Sequence, residues 1–230
     1  MELSPRLYTI AQAVPQGARL ADIGTDHGYL PVWLLQRGII EKAIAADLRP
    51  GPLERAKETA HRFDLSEQVD FRLCDGLTGI HANETDCVVI AGMGGETIIH
   101  ILNDAPWTKK EEKVLILQPM SSQEDLRRWL LQNGYRIVRE IIAQEEKNFY
   151  TIMVVQPGVD TTMSAGEEFA GRQSNDALRG SYLAHLIAKV SRTLEGQRRA
   201  AQPDELSLEK TEQLLNDLVN MRKEWETWQR

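Results

Sequence analysis

The chain has 230 residues, 42% hydrophobic and 27% charged, enough apolar material for one sizeable domain plus a smaller appendage. Its formal charge of −7 argues against broad, non-specific nucleic-acid binding, which feeds on positive surface, while leaving room for a local basic patch. Its two cysteines form neither a disulfide framework nor a C-x-x-C motif, its five histidines show no metal-ligand spacing with them, and neither a secretory leader nor a membrane-length apolar run is visible, so a cytoplasmic, metal-free protein is expected.

Strand-like and helix-like segments alternate through the first 155 or so residues. "ARLADIG" (18–24) reads as a buried strand and "YLPVWLLQRG" (29–38) as a helix stopped by Gly38. "KAIAAD" (42–47) is a second strand, and "GPLERAKETAHRF" (51–63) a second helix with Pro52 in its first turn. "QVDFRLCDG" (68–76) alternates as a third strand, and "DCVVIAGMGG" (86–95) is a continuous apolar run stopped by glycines, as for a central parallel strand. Then come helix "ETIIHILND" (96–104), strand "KVLILQP" (113–119) and helix "SQEDLRRWLLQNG" (122–134), started by Ser122 and stopped by Gly134. Two strands joined by the turn "EEK", 135–144 and 148–157, close the series. The order predicts an α/β fold: a parallel sheet covered by helices on both faces, with antiparallel strands at one edge.

The character changes after Pro157, which sets the expected domains at 1–157 and 158–230. Residues 158–176 are small, polar and glycine-containing and read as a connector. Two helices follow, split near Pro203. Leu183, Ile187, Val190, Leu194, Gln197 and Ala201 form one a/d seam, and Thr211, Leu214, Leu218, Met221, Trp225 and Trp228 the other. They most simply make an antiparallel coiled-coil hairpin that packs on itself or on the main domain, with dimerisation or RNA contact as alternatives.

Ligands on such sheets bind outside the carboxyl ends of the strands. The first such loop reads Asp22-x-Gly24-x-Asp26-x-Gly28. It lacks the G-x-G-x-x-G of a dinucleotide site, and Asp26 would repel a pyrophosphate. S-adenosylmethionine has no phosphate and carries a cationic sulfonium, so a carboxylate there is attractive. Aspartate tolerates the left-handed backbone that this turn requires. A plainer reading makes Asp26 the N-cap of the helix beginning near Gly28. Asp47, about twenty residues on, sits where an acid accepts ribose hydroxyls, although it could be an ordinary loop acid. Asp75-Gly76 stands where a side chain meets the adenine amino group, or is a simple turn. Ala91–Gly95, "AGMGG", ends the fourth strand without side-chain bulk, which admits a flat base or a tight crossing.

Together, "ADIGTDHGYLP", "CDGL", "IAGMGG" and "LILQP", with "LSPRL" at the start and "GP" after Asp47, resemble the bacterial TrmK family of tRNA (adenine-22-N1)-methyltransferases. The resemblance covers nearly the whole chain. It implies a Rossmann-like catalytic domain, a C-terminal coiled coil, S-adenosylmethionine as cofactor and tRNA as partner. The sequence does not fix the oligomeric state, and a monomer is the working expectation. It places Asp22, Gly24, Thr25, Asp26, His27, Gly28, Asp47, Asp75, Gly76, Ala91 and Gly92 at the cofactor. It places His27, Tyr29, Pro31, Met93, Gly94, Gln118 and Pro119 towards the target base. Charge makes Asp26 the catalytic candidate, a carboxylate where positive charge moves from sulfur to base. Arg6, Arg49, Arg55, Lys109, Lys110, Arg198 and Arg199 are candidates for holding the RNA backbone. A methyltransferase acting on another RNA or a small molecule, a non-catalytic binding module that kept the fold, and a dehydrogenase are the rival readings.

Overall fold

The structure, a computed structural model, describes residues 1–110, 112–172, 176–200 and 204–229. The chain divides into two compact units, Met1–Thr161 and Thr162–Arg230.

The first unit is built on a seven-stranded sheet. Its strands are β1 (Leu20–Ile23), β2 (Ala43–Asp47), β3 (Val69–Leu73), β4 (Cys87–Gly94), β5 (Val114–Ser121), β6 (Tyr135–Glu145) and β7 (Asn148–Pro157). The spatial order is β3-β2-β1-β4-β5-β7-β6. β1 pairs in parallel with both β2 and β4, β3 extends the ladder beyond β2, and β5 extends it beyond β4. The closing hairpin joins at one edge, with β7 antiparallel to β5 and β6 antiparallel to β7. Every residue of β1 and β2 is buried, as a strand covered on both faces requires.

Alternation along the strands divides the core in two. Leu20, Cys87, Val89 and Ile116 face one layer, packed with residues of α1 (Pro5–Ala13), α2 (Tyr29–Gln36) and α3 (Pro50–Arg62). Ala21, Ile23, Val88, Ile90, Leu115 and Leu117 face the other, with residues of α4 (Gly95–Asn103) and α5 (Gln123–Gln132). The sequence pattern did not reveal α1. Its Ser4 caps the helix from outside, accepting the Leu7 N–H, and Pro5 occupies the first turn. α5 begins one residue after Ser122, which takes a left-handed conformation and makes no capping bond.

The second unit holds α6 (Ala165–Ala170), α7 (Arg179–Arg198) and α8 (Glu205–Trp228). α6 lies inside the expected connector. Ser164 and Glu167 form a reciprocal capping box at its start. α7 and α8 pack on one another: a Cβ on Gly180 would collide with the Trp225 ring, so glycine lets that ring lie against the α7 backbone. A Cβ on Gly166 of α6 would stand 2.8 Å from the Asp217 Cβ of α8. The buried stripe of α7 runs through Tyr182, Leu183, Leu186, Val190 and Leu194, so Leu186 takes the burial expected of Ile187. In α8 Leu218 is buried, Thr211, Leu214, Met221 and Trp225 are half-buried, and Trp228 is 85% exposed. Ala201, Pro203 and the connector residues 173–175 lie outside the described residues.

Arg127 of α5 and Glu140 of β6 form an ion pair at 2.7 Å, their side chains 0% and 1% exposed. Removing one partner strands the other charge in the core. Arg127→Met should therefore lower stability by about 3–5 kcal/mol, read as a fall in the urea midpoint at unchanged slope. A midpoint matching that of the original chain would mean the pair is not structural.

Candidate active site

A cavity of about 640 Å³ opens outside the carboxyl ends of β1 to β4. β1 lies between β2 and β4, and their connections leave in opposite directions, so a crevice is unavoidable there.

The loop after β1 forms one wall. Gly24 and Thr25 donate backbone bonds to the Ala46 carbonyl, at 2.8 and 3.1 Å, fastening the loop to β2. Gly24 takes a positive φ of 74°, and a Cβ there would collide with Met93 Cε. Asp26 is the non-glycine residue that the turn forces into the left-handed region, at φ 48°. It does not cap α2. The cap position belongs to Gly28, at φ 66°, with no side-chain bond. The Asp26 carboxylate is exposed and accepts Arg55 Nη2 at 2.6 Å, with His27 Nε2 3.7 Å away. The His27 ring stacks on Tyr29, centroids 5.1 Å apart and planes within 11°.

Asp22 is buried at the end of β1, where Thr25 Oγ1 donates to it at 2.7 Å. Burial pushes its carboxyl up to about 6, the Thr25 hydroxyl opposes that shift, and the charge of Asp47 adds to it. Asp47 is also buried, and one of its oxygens accepts the Arg49 N–H at 2.9 Å. The Asp75 carboxylate accepts no hydrogen bond among the described residues, while its carbonyl receives both Thr78 donors in an Asp-Gly turn. Gly76, at φ 52°, sits against Ile101 of α4, where a Cβ would come within 2.9 Å.

β4 supplies the far wall. Its pairing with β5 is irregular on either side of Met93, and Gly92 has φ 77°. The bulge turns Met93 onto Gly24 across the cavity.

Of the residues expected at the site, Asp22, Gly24, Thr25, Asp26, His27, Tyr29, Asp47, Asp75, Gly76, Ala91, Gly92 and Met93 line this cavity. Gly28, Pro31, Gly94, Gln118 and Pro119 do not. Gly28 packs on Ala56 of α3, and Pro31 is buried in α2. Gly94 precedes α4, where a Cβ would stand 3.2 Å from Ser121 Oγ. Gln118 is fully buried, and its Oε1 accepts both Arg6 Nη1 and the Gly92 N–H. Pro119 supplies a backbone carbonyl to the Gln118 amide.

Arg6, named from sequence only as a backbone-contact candidate, proves to be part of the cavity wall, as do Leu48, Cys74, Thr97 and Ile101. Leu48 was findable: an apolar residue directly after a strand-terminal acid, it is 63% exposed beside the cavity. Of the other basic candidates, Arg49 lines the cavity and Arg55 reaches it through Asp26. Lys109 lies over the Tyr135 ring, and Arg198 and Arg199 pair with Glu212 and Glu195 in the helical unit. Among the described residues no group of three or more His, Cys, Asp or Glu side chains could hold a metal ion.

Comparison with known proteins adds a family. Residues 3–153 match a family model described as a methyltransferase domain. The tRNA (adenine(22)-N(1))-methyltransferase of Bacillus subtilis is 37% identical over 158 residues, 69% of this chain and 66% of that protein, just under two thirds of its length. The structure of Streptococcus pneumoniae Sp1610 in complex with S-adenosyl-L-methionine is 31% identical, with a TM-score of 0.84, and covers 96% of this chain and 100% of that one. M. capricolum TrmK, in complex with the cofactor product S-adenosyl-homocysteine, is 26% identical, with a TM-score of 0.81, over 97% of this chain and 99% of that one. The chain belongs to the TrmK family of tRNA (adenine(22)-N(1))-methyltransferases.

Proposed function

We propose that this chain transfers a methyl group from S-adenosylmethionine to N1 of adenine 22 in tRNA. The observation that carries the reading is the cavity wall: Asp22, Asp26, Asp47 and Asp75 converge on one crevice at the strand ends. That wall suits a phosphate-free, cationic cofactor and repels a dinucleotide. When bound, S-adenosylmethionine supplies an electrophilic methyl on a sulfonium.

Each wall residue then has a task. Asp22 serves the amino group of the methionine part. Asp47, already fixed by the Arg49 N–H, accepts the ribose hydroxyls. Asp75, whose carboxylate has no other partner among the described residues, receives the adenine amine. Gly24 and Gly92 keep the backbone close to the ligand.

Adenine N1 has a free lone pair once the base is unpaired, so no strong base is needed, and positioning supplies much of the rate. The target nucleotide is flipped or locally unpaired to enter. Its methylated product is a cation. A carboxylate near N1 or the exocyclic amine stabilises that charge as it develops, and Asp26 is the exposed carboxylate at the mouth. His27 and Tyr29, stacked beside it, offer the base an aromatic edge. Arg49 and Arg55 supply positive charge at the same mouth of an acidic protein. A tRNA substrate and two unpaired cysteines support a cytoplasmic setting.

The direct test is transfer of labelled methyl from S-adenosylmethionine to an unmodified tRNA transcript, with the modified base mapped. N1-methyladenine at position 22 is expected. Cofactor binding without transfer to any tRNA would refute the substrate. Asp26→Asn should cut turnover by about 10²-fold with S-adenosylhomocysteine affinity unchanged, whereas matching losses in both would make Asp26 a structural part of the loop.

Asp22 gives a pH signature. A bound cation favours the carboxylate over the carboxyl, so binding lowers a group that stands at about 6 in the free chain. Affinity should then weaken as pH falls through 6, approaching about tenfold per pH unit, with a proton released on binding. Titration calorimetry in buffers of different ionisation heat measures this. Asp22→Asn should bind more weakly at neutral pH and lose the dependence, and a flat wild-type profile would remove Asp22 from the cofactor.

A further inference from the structure

Arg6 is held unlike any other charged residue on the cavity wall. Its backbone N–H donates to Glu145 Oε1 at 2.8 Å, tying the start of α1 to the end of β6. Its guanidinium carbon stands 5.6 Å from the centre of the Tyr150 ring. Nη1 donates at 2.7 Å to the amide oxygen of the fully buried Gln118, which also accepts the Gly92 N–H at 3.1 Å. The Gln118 amide nitrogen is itself engaged by the Pro119 carbonyl at 2.9 Å. Gly92 takes a left-handed φ of 77°, and a Cβ there would stand at ordinary van der Waals distance, 3.6 Å, from Nη1, so the guanidinium lies against this turn.

A neutral amide therefore orients Arg6, and its side chain makes no ion pair with a carboxylate among the described residues. A guanidinium is permanently charged and has five N–H donors in a fixed fork. One nitrogen is engaged. Arg49, by contrast, is 76% exposed and already near Asp47, and Arg55 is bound to Asp26. Arg6 is thus a half-buried cation that no carboxylate among the described residues neutralises, on a wall that also carries Asp22, Asp26, Asp47 and Asp75.

The charge pattern of the cofactor supplies the match. S-adenosylmethionine carries an amino group, a sulfonium and one carboxylate. The acids suit the first two and repel the third. We propose that Arg6 binds the carboxylate of the methionine part, with Gln118 fixing the fork and coupling it to the Gly92 turn. This rests on the cofactor reading given above. A phosphate of the flipped nucleotide offers the same oxyanion chemistry, but Arg6 is half-buried in the cavity wall, whereas Arg49, on the same wall, is 76% exposed and better placed for a backbone outside.

The test is calorimetric binding of S-adenosylhomocysteine and of its decarboxylated analogue, which keeps the amine, to wild type, Arg6→Gln and Arg6→Lys. Arg6→Gln should weaken S-adenosylhomocysteine about ten- to a hundredfold, the range of a hydrogen-bonded charge, and leave the analogue unchanged. Arg6→Lys should fall between, keeping the charge without the fork. Equal weakening of both ligands would overturn the assignment and reduce Arg6 to a support for Gly92. Unchanged affinity for both, with a higher KM for tRNA and a salt slope lower by about one, would overturn it in favour of a phosphate. Wild-type protein binding neither ligand would instead defeat the cofactor reading itself.

Discussion

The position of β1 governs this molecule. It is hydrogen-bonded on both sides, to β2 and to β4, and every one of its residues is buried. A strand so enclosed can leave the sheet only at its end, and its neighbours leave on opposite faces. The crevice that results gathers Asp22, Asp47, Asp75 and the β4 bulge without any of them being adjacent in sequence. The chemistry of the site is a consequence of that topology, because each acid terminates a different parallel strand.

The wall carries four carboxylates, and they are held differently. Asp22 is buried, and its carboxyl is pushed up to about 6 by that burial. Burial opposes its ionisation, and a cation bound beside it would favour the carboxylate. The Asp26–Arg55 pair is a different kind of contact. Both partners are substantially exposed, and an exposed pair contributes little to stability. Asp26 is therefore available to a ligand at small cost, although it occupies a left-handed backbone position that most residues avoid.

Much of this was legible in the sequence, for identifiable reasons. The strand and helix order followed from alternation of apolar runs, and the acids stood out because each ends such a run. What escaped was what depends on contacts between distant segments. Arg6 reaches the cavity through Gln118 and Glu145, partners more than a hundred positions away. Gln118 looked like a loop-starting site residue, yet burial turns it inward to orient others. Gly28, expected at the cofactor, has a positive φ and faces α3 rather than the cavity. α6 carried a visible S-x-x-E cap, Ser164 to Glu167, that the small, polar composition of the connector concealed. Trp228 shows the opposite error: its spacing continues the seam of α8, but at 85% exposure it is not buried there.

The central claim is that one crevice at the ends of β1 to β4 binds the cofactor. Amide hydrogen exchange with and without S-adenosylhomocysteine tests it most directly. The account predicts new protection at residues 22–29, 47–49, 74–76 and 91–93, the segments that frame the cavity. Protection confined to the helical unit, or to the surface groove at residues 57–62 on α3, would contradict it.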